Sequence, residues 1–337
     1  MAWKIVKKII FSLAAILVFL VWSVFMLAVY GFYKNPPDAS PQFGVTFSKK
    51  QALHFGLDWR KTYEEILDDL EVKNIRLPAY WDEIEPEEGS YNFSDLDWQV
   101  GEARKRNAKI ILAVGLRLPR WPECHAPQWA RIQNEELRIK NLLKYIKETI
   151  THYKGFENIV AWQVENEPFL AGFGECPEPD AELLDKEIAL VKSLDSRPVI
   201  MTDSGELGDW FRSYRRADIF GTTMYRKVWS EKTGFFKYPF PPAFFWLRAG
   251  AVNLFLGEKE IIGVELQAEP WGSPRQLYEM NPAETASILS LKELLGYLDY
   301  SRRVGLPQNY LWGAEWWAWM KENGYPEYWN LVKTIFK

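Results

Sequence analysis

The residues best suited to chemistry stand in the stretch AWQVENEPF, residues 161–169. A β-branched and aromatic run leads there directly into Glu165-Asn166-Glu167-Pro168. Two carboxylates and an amide at the end of an apolar strand are costly unless something uses or satisfies them. A second acidic pair follows another apolar run, IIGV at 261–264: in VELQAEPWG, Glu265 comes directly after that run and Glu269 stands beside Pro270. Glu315 lies further on, in WGAEWWAW. Two carboxyl groups that bracket a glycosidic bond suffice to cleave it. One, protonated, gives its proton to the leaving oxygen, and the other, ionised, attacks the anomeric carbon; a separation of about 5–5.5 Å gives retention through a covalent intermediate.

These side chains need elements to position them, and the sequence supplies a repeating rhythm. Short apolar runs alternate with amphipathic stretches, which predicts βα units and a parallel sheet. Strands are expected at FGVTFS from 43, NIRLPAY from 74, KIILAVGL from 109, IVAWQV from 159, PVIMTD from 198, DIFGTTMY from 218, IIGVEL from 261 and NYLWGAEWW from 309. Helices are expected over 59–72, 95–106, 134–153, 181–194, 209–216, 243–256 and 283–303, with a last helical stretch closing the chain. Eight strands, each followed by a helix, predict a single (β/α)8 TIM barrel over 43–337 with no second domain. Active sites of such barrels lie at the C-terminal ends of the strands. Arg76, Asn166, Glu167, Tyr225, Glu265, Trp312 and Glu315 all fall there, and Glu167 and Glu265, on strands four and seven, face each other across the barrel. As nucleophile the end-of-strand Glu265 is favoured, with Glu269 in the following loop as the alternative and Glu315 third.

Ahead of the barrel, Lys4, Lys7 and Lys8 precede an uncharged run over 9–33, long enough to cross a bilayer of about 30 Å. The run is longer than the apolar core of a cleaved signal and ends without a small-x-small site. We read residues 1–33 as a transmembrane signal anchor and 34–42, KNPPDASPQ, as a linker. Lysines before the span favour a cytoplasmic N-terminus and an extracytoplasmic barrel. Without the anchor, 38 of the 41 basic residues remain against 45 acids, so nucleic-acid binding has no electrostatic support. No cluster of metal-ligand type is evident, and no metal or cofactor is expected. The two cysteines, Cys124 and Cys176, are too few for a disulfide scaffold and wrongly spaced for zinc; pairing and two free thiols both remain open.

The motif string resembles the retaining barrel glycoside hydrolases of clan A. WQVENEP is similar to their strand-four motif, RLPAYWDEIEPEEGSYNFSDLD resembles the second-strand region of families 42 and 5, VELQAEPWG a strand-seven end with its nucleophile, and WGAEWWAW an aromatic strand-eight end. The resemblance implies Glu167 as acid/base, Asn166 as donor to the sugar hydroxyl beside the anomeric centre, Arg76 as counter-charge of the nucleophile, Tyr225 as its hydrogen-bond partner and Trp312 as an apolar floor. Trp81 and His125 are further substrate-binding candidates. The family 5 pattern of glycines directly after the strand-seven Glu is missing here.

Blander roles are expected elsewhere. Glu165 points away by strand alternation and reads as a structural salt-bridge partner, and Glu85, Glu87 and Glu88 as a solvated loop. Of the 17 Trp, only Trp81, Trp121, Trp162, Trp271 and Trp312 fall near the predicted opening. The long aromatic segment over 225–246 reads as a lid, a stacking surface for sugars, or an apolar patch resting on the membrane. The expectation is a membrane-anchored retaining β-glycosidase acting on oligosaccharide or polysaccharide. A transglycosylase on the same site and a catalytically inactive carbohydrate-binding barrel are the alternatives.

Overall fold

The computed structural model describes residues 2–34, 40–272 and 274–336. Residues 35–39, most of the expected linker, lie outside that description. An N-terminal helix, Ala2–Lys34, precedes the barrel. Within it Val6–Leu27 has a mean hydropathy of 2.7 with none of the window buried, so by length and composition it can cross a bilayer.

Among the described residues ten strands follow: β1 (Gln42–Thr46), β2 (Asn74–Pro78), β3 (Lys109–Val114), β4 (Ile159–Val164), β5 (Val199–Asp203), β6 (Ile219–Met224), β7 (Lys227–Ser230), β8 (Gly234–Lys237), β9 (Glu260–Gln267) and β10 (Gln308–Trp312). All but β7 and β8 form a closed parallel barrel in the order β1-β10-β9-β6-β5-β4-β3-β2. These strands are apolar runs because a parallel strand is covered on both faces. Helices end where side chains can satisfy their free N–H groups. Asn134 accepts from Leu137 N at 2.9 Å to start Glu135–Tyr153, and Asp180 accepts from Glu182 N and Leu183 N to start Ala181–Leu194.

Four features depart from the sequence reading. The helix expected over 283–303 is two, Pro282–Ile288 and Leu291–Val304, because Ser290 and Glu293 form a capping box that starts a new helix. The eighth strand stops at Trp312, since Gly313 takes φ 146°, and Glu315 lies in the first turn of the helix Ala314–Glu322. The loop after β6 contains an antiparallel hairpin, β7–β8, that the aromatic composition had hidden. Finally, β4 and β9 are not directly opposite in the barrel: β5 and β6 separate them on one side and four strands on the other.

Inside the barrel an apolar tier of Ile111, Ala161, Ile200, Ile262, Val264 and Tyr310 is capped by a polar one. Arg76 fills that upper tier, donating to Thr46, Gln163 and the Val264 carbonyl. The core thus ends where the strand ends begin.

Candidate active site

The turn after β4 is built by its neighbours. Glu165 and Glu167 both take left-handed backbone, φ 57° and 46°, which non-glycine residues adopt only when their surroundings enforce it. Glu165 provides part of that enforcement: its carboxylate accepts from Leu116 N and Arg117 N, each at 2.6 Å, on the loop after β3. A side chain at Gly115 would put a Cβ 2.3 Å from Glu165 Oε1, so glycine is required there. Asn166 N donates to the Arg117 carbonyl at 2.7 Å, and Glu167 N donates to Thr202 Oγ1 on β5 at 2.8 Å. Glu165 is therefore structural, as expected, but peptide N–H groups hold it in place of a salt bridge. Its carboxyl also meets that of Glu187, and burial pushes both up from the ordinary range.

Glu265, on β9, lies beneath this turn. Arg76 Nη1 donates to its Oε1 at 2.9 Å and Tyr225 Oη donates to its Oε2 at 2.8 Å. Arg76 also donates to Asn166 Oδ1 at 2.6 Å, which leaves the Asn166 amide nitrogen as the outward donor, with Glu123 Oε2 3.4 Å away. Glu167 is buried, and among the described residues its carboxyl accepts only from Thr223 Oγ1, at 3.4 Å. Burial, with Glu265 and Glu123 nearby, holds its proton well above the ordinary carboxyl range. One carboxyl is thus kept protonated while its neighbour sits against a guanidinium and a phenol.

Glu269 and Glu315 are engaged differently. Arg120 pairs with Glu269 and, at 2.6 Å, with Glu315, while its guanidinium lies 4.1 Å from the centre of the Trp312 ring. Glu315 also accepts from Ser48 N. Burial still raises Glu269, against the opposing effect of Arg120. The three form a closed buried cluster.

The remaining candidates divide. Tyr225 and Trp312 lie at the site, and Trp271, half-buried, meets the Tyr225 ring edge-on at 5.2 Å. Phe173 stands 6.0 Å from Trp271 and 6.4 Å from the exposed Trp121, extending an aromatic rim. Trp81 and Trp162 are fully buried, so neither reaches the opening; Trp81 stacks on Tyr145 and donates to Glu85. His125 is equally buried, against Tyr80 and the Arg120 carbonyl, and burial with Lys50 nearby lowers it to about 3. It is a neutral packing residue and neither touches the opening nor lies exposed. Glu85 is buried and binds Trp81 Nε1 and Gly89 N, whereas Glu87 and Glu88 are exposed as expected. Cys124 and Cys176 form a disulfide, tying the loops after β3 and β4.

Sequence reasoning missed three acids and bases. Glu123 is buried, 3.9 Å from Arg117 Nε and pushed up to about 8 by burial. Glu206 accepts from Tyr225 N at 2.8 Å and is likewise raised to about 8. Arg120 is the third. For Arg120 and Glu123 the loop text RLPRWPECHAP offered a signal, a density of charge and proline after strand three; Glu206, after strand five, had none.

A closed (β/α)8 barrel with glutamates at the ends of its fourth and seventh strands is the arrangement of the clan A glycoside hydrolases, which this chain resembles. Residues 43–176 match the Glycosyl hydrolase family 10, a family beside the two suggested by the motif string. Endo-1,4-beta-xylanase A of Phanerodontia chrysosporium is 31% identical over 118 residues, which cover 32% of this chain and 26% of that protein. Beta-galactosidase LacZ of Lactobacillus acidophilus is 29% identical over 104 residues, 26% of this chain and 16% of that protein. The chain therefore spans about a quarter or less of the curated relatives it matches. Among solved structures, GH5_18 from Bifidobacterium longum superposes with a TM-score of 0.59 at 12% identity, over 81% of this chain and 70% of that one. Xylanase 10B from Thermotoga petrophila, in complex with xylobiose, gives 0.51 at 16% identity, over 88% and 94%. At these identities the structural likeness speaks for the fold.

Proposed function

We propose that the chain is a retaining β-glycosidase anchored to a membrane by residues 1–33, with a short linker to a catalytic barrel over 43–337. Glu167 is the acid/base and Glu265 the nucleophile. The observation that carries this reading is the pair of hydrogen bonds to Glu265, from Arg76 at 2.9 Å and Tyr225 at 2.8 Å, beside a Glu167 that burial keeps protonated. In the first step Glu265 attacks the anomeric carbon as Glu167 protonates the departing oxygen. In the second Glu167, now a carboxylate, takes a proton from water as that water releases the sugar from Glu265. Asn166 offers its amide N–H to the neighbouring sugar hydroxyl, and the Trp121, Phe173 and Trp271 rim supplies ring faces for further sugar units. Glu269 is not assigned the nucleophile's role, because its carboxyl is bound by Arg120 in a cluster with Glu315 beside the Trp312 ring.

The names of the relatives direct the first substrates to β-linked xylan and its oligosaccharides, then β-galactosides. The test is turnover of this panel by the full chain, by E167A and by E265A. Hydrolysis by the wild type and its loss in both variants supports the reading. Binding of oligosaccharide without any turnover would instead favour an inactive sugar-binding barrel.

A further inference from the structure

The helix Pro242–Leu256, which follows the barrel's sixth strand, has an unusual composition for a surface element. Its sequence, PAFFWLRAGAVNLFL, carries one charge, Arg248. A helix apolar on all sides belongs in a core or against lipid. Ala243, Phe245 and Val252 face the core. Arg248 is turned back into the protein, donating to the carbonyls of Gly205 and Gly208. The outer side is left apolar: Trp246 is 43% exposed, Leu254 79% and Phe255 72%. Trp246, Gly250 and Leu254 recur at four-residue spacing and so share one face. Phe211, also exposed, extends the surface, its ring 6.2 Å from that of Phe255. Clustered exposed aromatic and aliphatic groups mark a contact surface.

What covers this surface is indicated by what adjoins it. Phe32, near the end of the N-terminal helix, is buried, and its ring lies 5.7 Å from that of Trp246. Beside it, the Arg303 guanidinium stands 5.6 Å from the Tyr33 ring. The exposed stripe therefore begins where the apolar span ends. Trp, Tyr and Arg at that junction are the side chains that suit the boundary between headgroups and acyl chains.

We infer that Trp246, Leu254, Phe255 and Phe211 bed into the lipid surface next to the anchor, fixing the barrel against the membrane by its flank. The inference rests on the N-terminal helix being a membrane anchor. Because the helix runs along the barrel wall, the opening at the strand ends then faces along the membrane and stays clear for a polymeric substrate.

The test uses the full chain in phosphatidylcholine vesicles, with an environment-sensitive fluorescent amino acid placed at position 19 in the span, at 254 in the stripe, or at 105 on the opposite wall. Each protein is compared in vesicles with and without brominated acyl chains, which quench on contact. Quenching at 19 and 254 but not at 105 is expected. Quenching at 19 alone overturns the inference and leaves the anchor standing. If 19 is not quenched, the anchor reading fails and takes the inference with it. An apolar emission at 254 that bromine leaves untouched means that protein, such as a second copy of the chain, covers the stripe, and this also overturns it.

Discussion

The Arg76 guanidinium donates to the Glu265 carboxylate at 2.9 Å with both side chains buried. Such a pair offsets the cost of burial only while both members are present. Arg76→Ala should therefore destabilise the barrel by about 3–5 kcal/mol, the usual result of stranding a buried charge. Denaturant unfolding measures it. Arg76→Lys should recover little, because one ammonium cannot reach Gln163, Asn166 and Glu265 together as the guanidinium does.

Tyr225 holds the other oxygen of Glu265 at 2.8 Å. Burial and the nearby carboxylates push its phenol upward, so it remains a donor. A hydrogen bond to a charged group is worth roughly 1.5–3 kcal/mol. Tyr225→Phe should then lower kcat roughly 10- to 150-fold with a much smaller change in KM. A change confined to KM would move Tyr225 from the nucleophile to the substrate.

Stability should decline between mildly acidic and mildly alkaline pH, with Glu206 as one cause. Burial raises its carboxyl to about 8 in the folded chain, against about 4.3 unfolded. As pH rises through that interval the unfolded chain releases a proton that the folded chain keeps, so stability present at low pH is lost on the way to pH 8. Glu206 accounts for about 4 kcal/mol of this, in order of magnitude. Glu206→Gln keeps an acceptor for Tyr225 N and removes the charge, so unfolding measured at pH 5 and pH 8 should differ less than in the wild type. Glu123, raised in the same way, keeps the slope from vanishing.

The Cys124–Cys176 bond, with a sequence separation of 52, joins the loop after β3 to the loop after β4 that begins with the Glu167 turn. Replacing both cysteines by serine should cost about 2–4 kcal/mol of stability, read as a lower unfolding midpoint. The same loss on treating the wild type with reductant, and none on treating the double variant, ties it to the bond.

The barrel was legible because its strands are continuous apolar runs separated by amphipathic helices, and β4 matches its expected bounds residue for residue. The placement of Glu167 and Glu265 followed from those strand ends. What stayed hidden depends on contacts between distant loops. His125, Trp81 and Glu85 read as loop or opening residues because their neighbours in sequence are polar and prolyl, yet packing against Tyr80 and Tyr145 buries them. Arg120 and Glu123 gained importance only when the loop after β3 met the segments after β9 and β4, at Glu269 and Asn166. The break at Ser290 is an exception, since its capping box with Glu293 was readable in the sequence.

The most direct test of the account is to trap the covalent intermediate. A 2-deoxy-2-fluoro β-glycoside with a good leaving group slows the second step more than the first, so a retaining enzyme accumulates its glycosyl ester. Proteolysis and mass spectrometry then locate the sugar. The account predicts one ester, on Glu265, absent from Glu265→Ala and removed when an acceptor sugar is added. An ester on Glu269 or Glu315 would contradict the assignment of the nucleophile, and turnover of the parent glycoside with inversion and no ester would contradict the retaining pair.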